Sequence, residues 1–195
     1  IDGDTLNVIN LQTDNGSLID NQDGTFTLTP NANFNGTVNL SYQVSDGNGG
    51  IVDASNSVFI QAMNDKPIAP SSPISLSNGV EDSTYLLNVA DLLQGYSDID
   101  GDTLNVINLQ TDNGSLIDNQ DGTFTLTPNA NFNGTVNLSY QVSDGQGGVV
   151  DASNSVFIQA MNDAPSTVVP VVNQTTSENQ AFSYQLPDEA FIDLD

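Results

Sequence analysis

The 195-residue chain carries 25 acidic side chains against one base, Lys66, for a formal net charge of -24. It has no Cys, His, Trp or Arg, which excludes a disulfide framework, zinc fingers, haem ligation, a thiol nucleophile and a Ser-His-Asp triad. One lysine cannot replace the counterions of a nucleic acid, and an anionic membrane surface would repel the chain. The natural counter-ligand of such a protein is a cation.

Apolar residues make up 37% of the chain, and they alternate, so the chain is expected to bury a core rather than stay disordered. Residues 1–65 recur at 99–163, differing only at Asn48/Gln146 and Ile51/Val149. A more divergent third copy begins near Pro165. The spacing gives three segments: residues 1–64 as the back of one repeat, 65–163 as a complete repeat and 164–195 as the front of another. A repeat of this length suits one small domain with its own core.

In chain order, the complete repeat opens on two predicted strands near Ile74–Ser77 and Thr84–Val89, then one helical turn over Val89–Leu93. Thr103–Leu109 is rich in β-branched and apolar residues and predicts a third strand. Asn113-Gly114 is a turn signal, and Ser115–Asp118 a short strand. Asn119–Gly122 is a hairpin turn before Thr123–Pro128, which alternates strictly. Val136–Val142 alternates again, Asp144–Gly148 is a loop, and Val149–Met161 is a long final strand. The front of the third copy predicts the same first two strands, near Val168–Val172 and Ala181–Leu186. About seven short strands at this spacing predict an all-β fold, an antiparallel β-sandwich in tandem repeats. Phe124, Phe132, Tyr140 and Phe157 are expected in its core.

Aspartate outnumbers glutamate 22 to three, and aspartate favours turns and calcium loops. The acids gather at four points of the repeat: Asn64-Asp65, Glu81-Asp82, Asp98-Ile99-Asp100-Gly101-Asp102 and Asp144-Gly145. The first copy repeats part of the pattern as Asp2, Asp4 and Asp46. The four groups are expected to converge on one end of the sandwich, where carboxylates from separate loops would bind calcium. An EF-hand is excluded, because position 12 counted from Asp98 is Leu109 rather than Glu. Asp23-Gly24 and Asp121-Gly122 read as plain hairpin turns. The glycine loops after Asp46 and Asp144 are not phosphate loops, because no helix pattern follows.

The order of SDIDGD, VSDGxGG and a terminal VFIQAMNDxP resembles the bacterial cadherin-like repeats. The third copy is similar to their dystroglycan-type variant. The resemblance covers essentially the whole chain and implies tandem modules of very large secreted adhesins, some with RTX export signals. It implies linker ligands at Asn64, Asp65 and Lys66, and again at Asn162, Asp163 and Ala164, with the third position contributing its carbonyl. It implies an Asp-x-Asp pair at Asp98 and Asp100, and again at Asp193 and Asp195. Asp144 and the glutamates Glu81 and Glu178 complete the implied set. Cadherins add a mid-domain Asp-Arg-Glu motif, and nothing like it stands near Thr125–Asn133, so fewer ions per junction are expected. One ion is expected on Asn64, the Lys66 carbonyl, Asp98, Asp100 and Asp144, and Glu81 is expected to work with Asp65.

The resulting expectation is a calcium-rigidified spacer on a bacterial surface or in the extracellular space, with neighbouring repeats as its partners. A calcium-dependent module for polysaccharide or a partner cell is the second reading, weakened by the absence of Trp. An enzyme is not expected, because the carboxylates lie in calcium loops and no general acid stands out. No nucleic-acid partner or membrane insertion is expected. The chain ends leave two readings open: residues 164–195 of one molecule complete residues 1–64 of another, head to tail, or the segment is trimmed from a longer protein.

Overall fold

The computed structural model describes residues 3–72 and 74–193. The chain divides into two compact units, Ile1–Asp65 and Lys66–Asp195. Asp2 and Asp195 lie outside the described residues.

The second unit contains a two-layer sandwich. One sheet has the order β6-β12-β11-β8 and the other β7-β10-β9. The strands are β6 (Gly79–Val80), β7 (Tyr85–Asn88), β8 (Asn105–Thr111), β9 (Ser115–Asp118), β10 (Thr123–Thr127), β11 (Gly134–Ser143) and β12 (Val149–Gln159). A single helical turn, α1 (Val89–Leu92), joins β7 to the loop before β8. All pairings are antiparallel except β6 on β12. Alternation sets which side chains face inward. Val136, Leu138, Tyr140 and Val142 of β11 face Leu87, Leu92 and Leu126, with Val156 and Ile158 of β12 in the same cluster. Burial raises the pKa of the Tyr140 phenol, whose hydroxyl donates to the Leu92 carbonyl at 3.0 Å. That bond ties α1 to the core.

The turn glycine Gly114 sits at φ +92°. A Cβ there would run into the Thr127 carbonyl and the Pro128 backbone, so the Asn-Gly turn is fixed by space as well as by φ.

The first unit contains one sheet of order β1-β4-β5 and the hairpin β2-β3. These are β1 (Asn7–Thr13), β2 (Ser17–Asp20), β3 (Phe26–Thr29), β4 (Gly36–Ser45) and β5 (Ile51–Ile60). Register repeats that of the second unit residue for residue: Val38 opposes Val58 as Val136 opposes Val156.

Three sequence expectations change. Residues 74–77 are not a strand, and the first strand of the repeat falls later, on Gly79–Val80. Gly79 suits that place because a Cβ there would lie 2.7 Å from Ile158 Cδ1. In the third copy, residues 168–172 and 181–186 are not strands either. The paired elements there are β13 (Ser166–Thr167) and β14 (Phe191–Ile192). Phe157 is 51% exposed rather than core, because its neighbours Val156 and Ile158 take the inward positions of β12. Phe124 and Phe132 pack against the core from partly buried positions.

Candidate metal centre

The loop between α1 and β8 carries Asp98, Asp100 and Asp102. Carboxylate oxygens of all three lie within 4.8 Å of one another. The loop is shaped locally: Asp98 Oδ1 accepts the Asp100 backbone N–H at 2.9 Å, and Gly101 turns the chain at φ +82°. Asp98 Oδ2 is buried and receives no hydrogen bond. A buried anionic oxygen without a donor is costly, and a cation is the partner such an atom fits.

Asp144 follows β11 in the loop before β12 and is only 4% exposed. Its Oδ1 accepts the backbone N–H groups of Gln146 (2.7 Å), Gly147 (3.0 Å) and Gly148 (2.9 Å). Gly148 also donates to Oδ2 at 3.0 Å. The Asp-Gly-x-Gly-Gly sequence thus folds into a cradle around its own aspartate. Gly148 has no room for a Cβ, which would meet both the Asp144 carboxylate and the Lys66 backbone, the latter at 2.8 Å. That contact puts the Lys66 main chain against the Asp144 loop.

The electrostatics bind these pieces into one site. Asp102 is pushed above its ordinary pKa by desolvation first, then by the charges of Asp98, Asp144 and Asp100. Four carboxylates from two loops therefore share one field, and a divalent cation would relieve their repulsion. All donors are oxygens, the set that suits a hard cation such as calcium. The first unit repeats the cradle. Asp46 Oδ1 accepts from Asn48 at 2.8 Å and Gly50 at 2.9 Å, which holds its carboxyl below the ordinary range.

Glu81 and Asp82 do not join this group. β6 runs parallel to β12, so Glu81 emerges where β12 ends, whereas Asp144 lies where β12 begins. The 11 residues of β12 separate the two ends by ~36 Å at ~3.3 Å per residue. Glu81, 3% exposed, accepts the Met161 N–H on Oε1 at 2.6 Å and the Asn133 amide on Oε2 at 3.3 Å. Asp82 Oδ1 accepts the Asn131 N–H at 2.9 Å. With its amide turned to donate, Asn131 reaches Asp82 Oδ2 at 3.2 Å and Asp163 Oδ2 at 3.1 Å. The expected convergence of Glu81 with Asp98 and Asp144 is therefore corrected: Glu81 sits with Asp163 at the other end.

Asn131 and Asn133 were not among the sequence candidates. The available signal was the repeated Asn-Ala-Asn-Phe-Asn-Gly, whose central asparagine sits at positive φ in both copies, Asn33 and Asn131. Asn162 donates its amide to the Asp163 carbonyl at 2.6 Å, as Asn64 does to the Asp65 carbonyl at 3.1 Å. Ala164, Glu178 and Asp193 are exposed, and Asp4 is exposed in the first unit. Among the described residues, no helix is long and apolar enough to cross a membrane.

No curated protein matches the chain. Among solved structures, it is similar to two endo-fucoidan hydrolases of glycoside hydrolase family 107. MfFcnA4_H294Q is 18% identical with TM-score 0.39, over 86% of this chain and 27% of that one. MfFcnA9 is 19% identical with TM-score 0.32, over 77% and 28%. Yersinia pseudotuberculosis InvD is 21% identical with TM-score 0.25, over 91% and 55%. The chain thus spans from about a quarter to about half the length of these proteins. The model of the cadherin-like domain matches residues 1–61 and again 63–159. With the seven-stranded sandwich and the duplicated aspartate cradle, that double match makes this chain a member of the cadherin-like domain family.

Proposed function

We propose that this chain is an extender segment of a secreted bacterial adhesin, stiffened by calcium where its repeats meet. Asp98, Asp100, Asp102 and Asp144 hold the ion, with the Lys66 carbonyl beside them. The observation that carries this reading is the three-aspartate cluster with the buried, donorless Asp98 Oδ2. The family resemblance adds Asn64 and Asp65 as linker ligands for such an ion. Asn162, Asp163 and the Ala164 carbonyl, with Asp193 and Asp195, form the corresponding set for the next junction, with Glu81 as an outer carboxylate beside Asp163, while Glu178 holds the place of Glu81 in the third repeat. Asp2, Asp4 and Asp46 mark the same site in the first copy.

Without the ion, the clustered carboxylates repel and the linker is free to bend. With it, oxygens from two repeats share one cation, and their relative angle is fixed. The near-identity of the two copies supports a role in which length matters more than surface variety. The reading is non-enzymatic and extracellular.

Titration calorimetry with calcium tests the site, and absence of heat up to millimolar calcium would refute it. X-ray scattering in calcium and in chelator tests the spacer mechanism. A maximum dimension that does not change between the two would defeat stiffening while leaving ion binding intact. Asp144→Ala should weaken the ion and abolish the scattering change, with the sandwich still folded by circular dichroism.

A further inference from the structure

Asparagine followed by glycine is a reactive pair. Glycine has no Cβ, so its amide nitrogen can approach the asparagine carboxamide carbon at little steric cost. The chain holds six such pairs, at Asn15, Asn35, Asn48, Asn78, Asn113 and Asn133. The fold restrains all of them but one. Gly16 and Gly114 lie against the backbone of Thr29-Pro30 and Thr127-Pro128. Their partners Asn15 and Asn113 are partly buried, with N–H groups on the Thr13 and Thr111 hydroxyls at 3.3 Å in each copy. Gly36 and Gly134 open β4 and β11, paired with Ile60 and Ile158. Gly79 is buried in β6 and also pairs with Ile158. Strand pairing fixes the peptide planes that would have to turn for attack.

Asn48 differs on every count. It lies in the loop between β4 and β5 and is exposed, as are Gly49 and Gly50. Among the described residues its carboxamide makes no hydrogen bond, and only its backbone N–H is engaged, on Asp46 Oδ1 at 2.8 Å. Nothing lies within 4 Å of where a Cβ on Gly47 or Gly49 would stand, so the carboxamide can swing and the Gly49 nitrogen is within its reach. The matching loop of the complete repeat is equally open: Gln146 is exposed, and Gly145 and Gly147 have the same empty surroundings. Openness is therefore a property of the loop, whatever strands flank it. There the Gly147 N–H shares Asp144 Oδ1 with the N–H groups of Gln146 and Gly148, a shared bond that a loop glycine can give up.

We propose that Asn48 is a site of spontaneous covalent modification, deamidating to aspartate or isoaspartate, and that Gln146 exempts the complete repeat. The Gly49 nitrogen bonds to Asn48 Cγ and its proton passes to solvent. The Cγ–Nδ2 bond breaks and ammonia leaves, which closes a five-membered succinimide. Water then opens the ring at either of its carbonyls. Gln146 carries one more methylene and would have to close a six-membered ring, a slower cyclisation. Asn48/Gln146 is one of only two differences between residues 1–65 and 99–163, so one loop ages while its twin does not. Isoaspartate routes the main chain through the former side chain. The Gly50 N–H that donates to Asp46 Oδ1 at 2.9 Å is then displaced, and the cradle around Asp46 opens. The inference does not depend on the calcium reading.

The full chain is held in warm, mildly alkaline buffer without calcium, sampled over weeks and digested with chymotrypsin. Cuts after Tyr42 and Phe59 release residues 43–59, and cuts after Tyr140 and Phe157 release 141–157. The two peptides differ in mass, so each loop is read separately. Deamidation replaces NH2 by OH and adds about 1 Da, whereas isomerisation of the Asp-Gly pairs adds nothing. Fragmentation of the peptide should locate the gain at Asn48, appearing at least about tenfold faster than at any other Asn-Gly pair. In concentrated urea the pairs should react at similar rates. Equal rates in the folded chain, or an intact Asn48 over a time in which the urea-unfolded chain reacts, overturn the proposal.

Two loop variants complete the test. Asn48→Gln should silence the first loop. Gln146→Asn should make the second loop react within about threefold of Asn48. A Gln146→Asn loop that stays intact would refute the claim that the shape of this loop permits the reaction.

Discussion

Val156→Ala and Val58→Ala make the same chemical change in identical local sequence, so any difference between them measures the cover that residues 79–92 lay over the core of the second unit. Each removes two methyl groups, worth about 0.8 kcal/mol apiece when buried. Val156 is fully enclosed, so a cavity cost adds to the transfer cost. The sum is about 2 to 3 kcal/mol, or a drop of about 10 °C in the melting temperature of a domain this size. Val58 is 40% exposed, and its floor opens to water, so no closed cavity forms and the cost should stay below about 1 kcal/mol. The assay is thermal and urea unfolding followed by circular dichroism and tyrosine fluorescence. Equal costs at the two sites would refute the claim that residues 79–92 create the burial. Adding a peptide of residues 66–98 should raise the cost of Val58→Ala toward that of Val156→Ala.

Gly114→Ala and Gly122→Ala both place alanine at positive φ, but only Gly114 faces backbone within contact. Gly122→Ala should cost about 1 kcal/mol and Gly114→Ala at least about 3 kcal/mol, read from denaturant midpoints. Asp112 and Asp14 are held below the ordinary aspartate pKa by the side-chain amides and backbone N–H groups of Asn137 and Asn39. Their stabilisation is present above the unfolded-state pKa and is lost as pH falls through the lowered folded value. Acid titrations of Asp112→Asn and Asp14→Asn should therefore show shallower loss of stability below about pH 4, and an unchanged slope would count against these bonds. Glu81→Ala removes the acceptor of the Met161 N–H and should cost about 1 to 3 kcal/mol, while calcium affinity at the Asp98 cluster stays within twofold because that cluster lies at the other end. A large loss of that affinity would show that the two ends are not independent.

Fold class, repeat and the identity of the acidic loops are all legible along the chain. Alternation in Thr123–Thr127 and Gly134–Ser143 carries the strand period whatever packs on it, and glycines such as Gly114 record turns that no other residue fits. The Asp98–Asp102 run was legible for the same reason, because its three carboxylates are neighbours along the chain. Which distant groups meet depends instead on how the strands pair and pack. Parallel pairing of β6 with β12 sends Glu81 to Met161 and Asp163, and no local pattern encodes that choice. The exposure of Phe157 and the placement of Asn131 and Asn133 depend on the same packing. The clearest case is the pair of identical copies: Val58 and Val156 share their sequence surroundings, yet one is open and the other sealed. Burial belongs to the partner segment as much as to the residue.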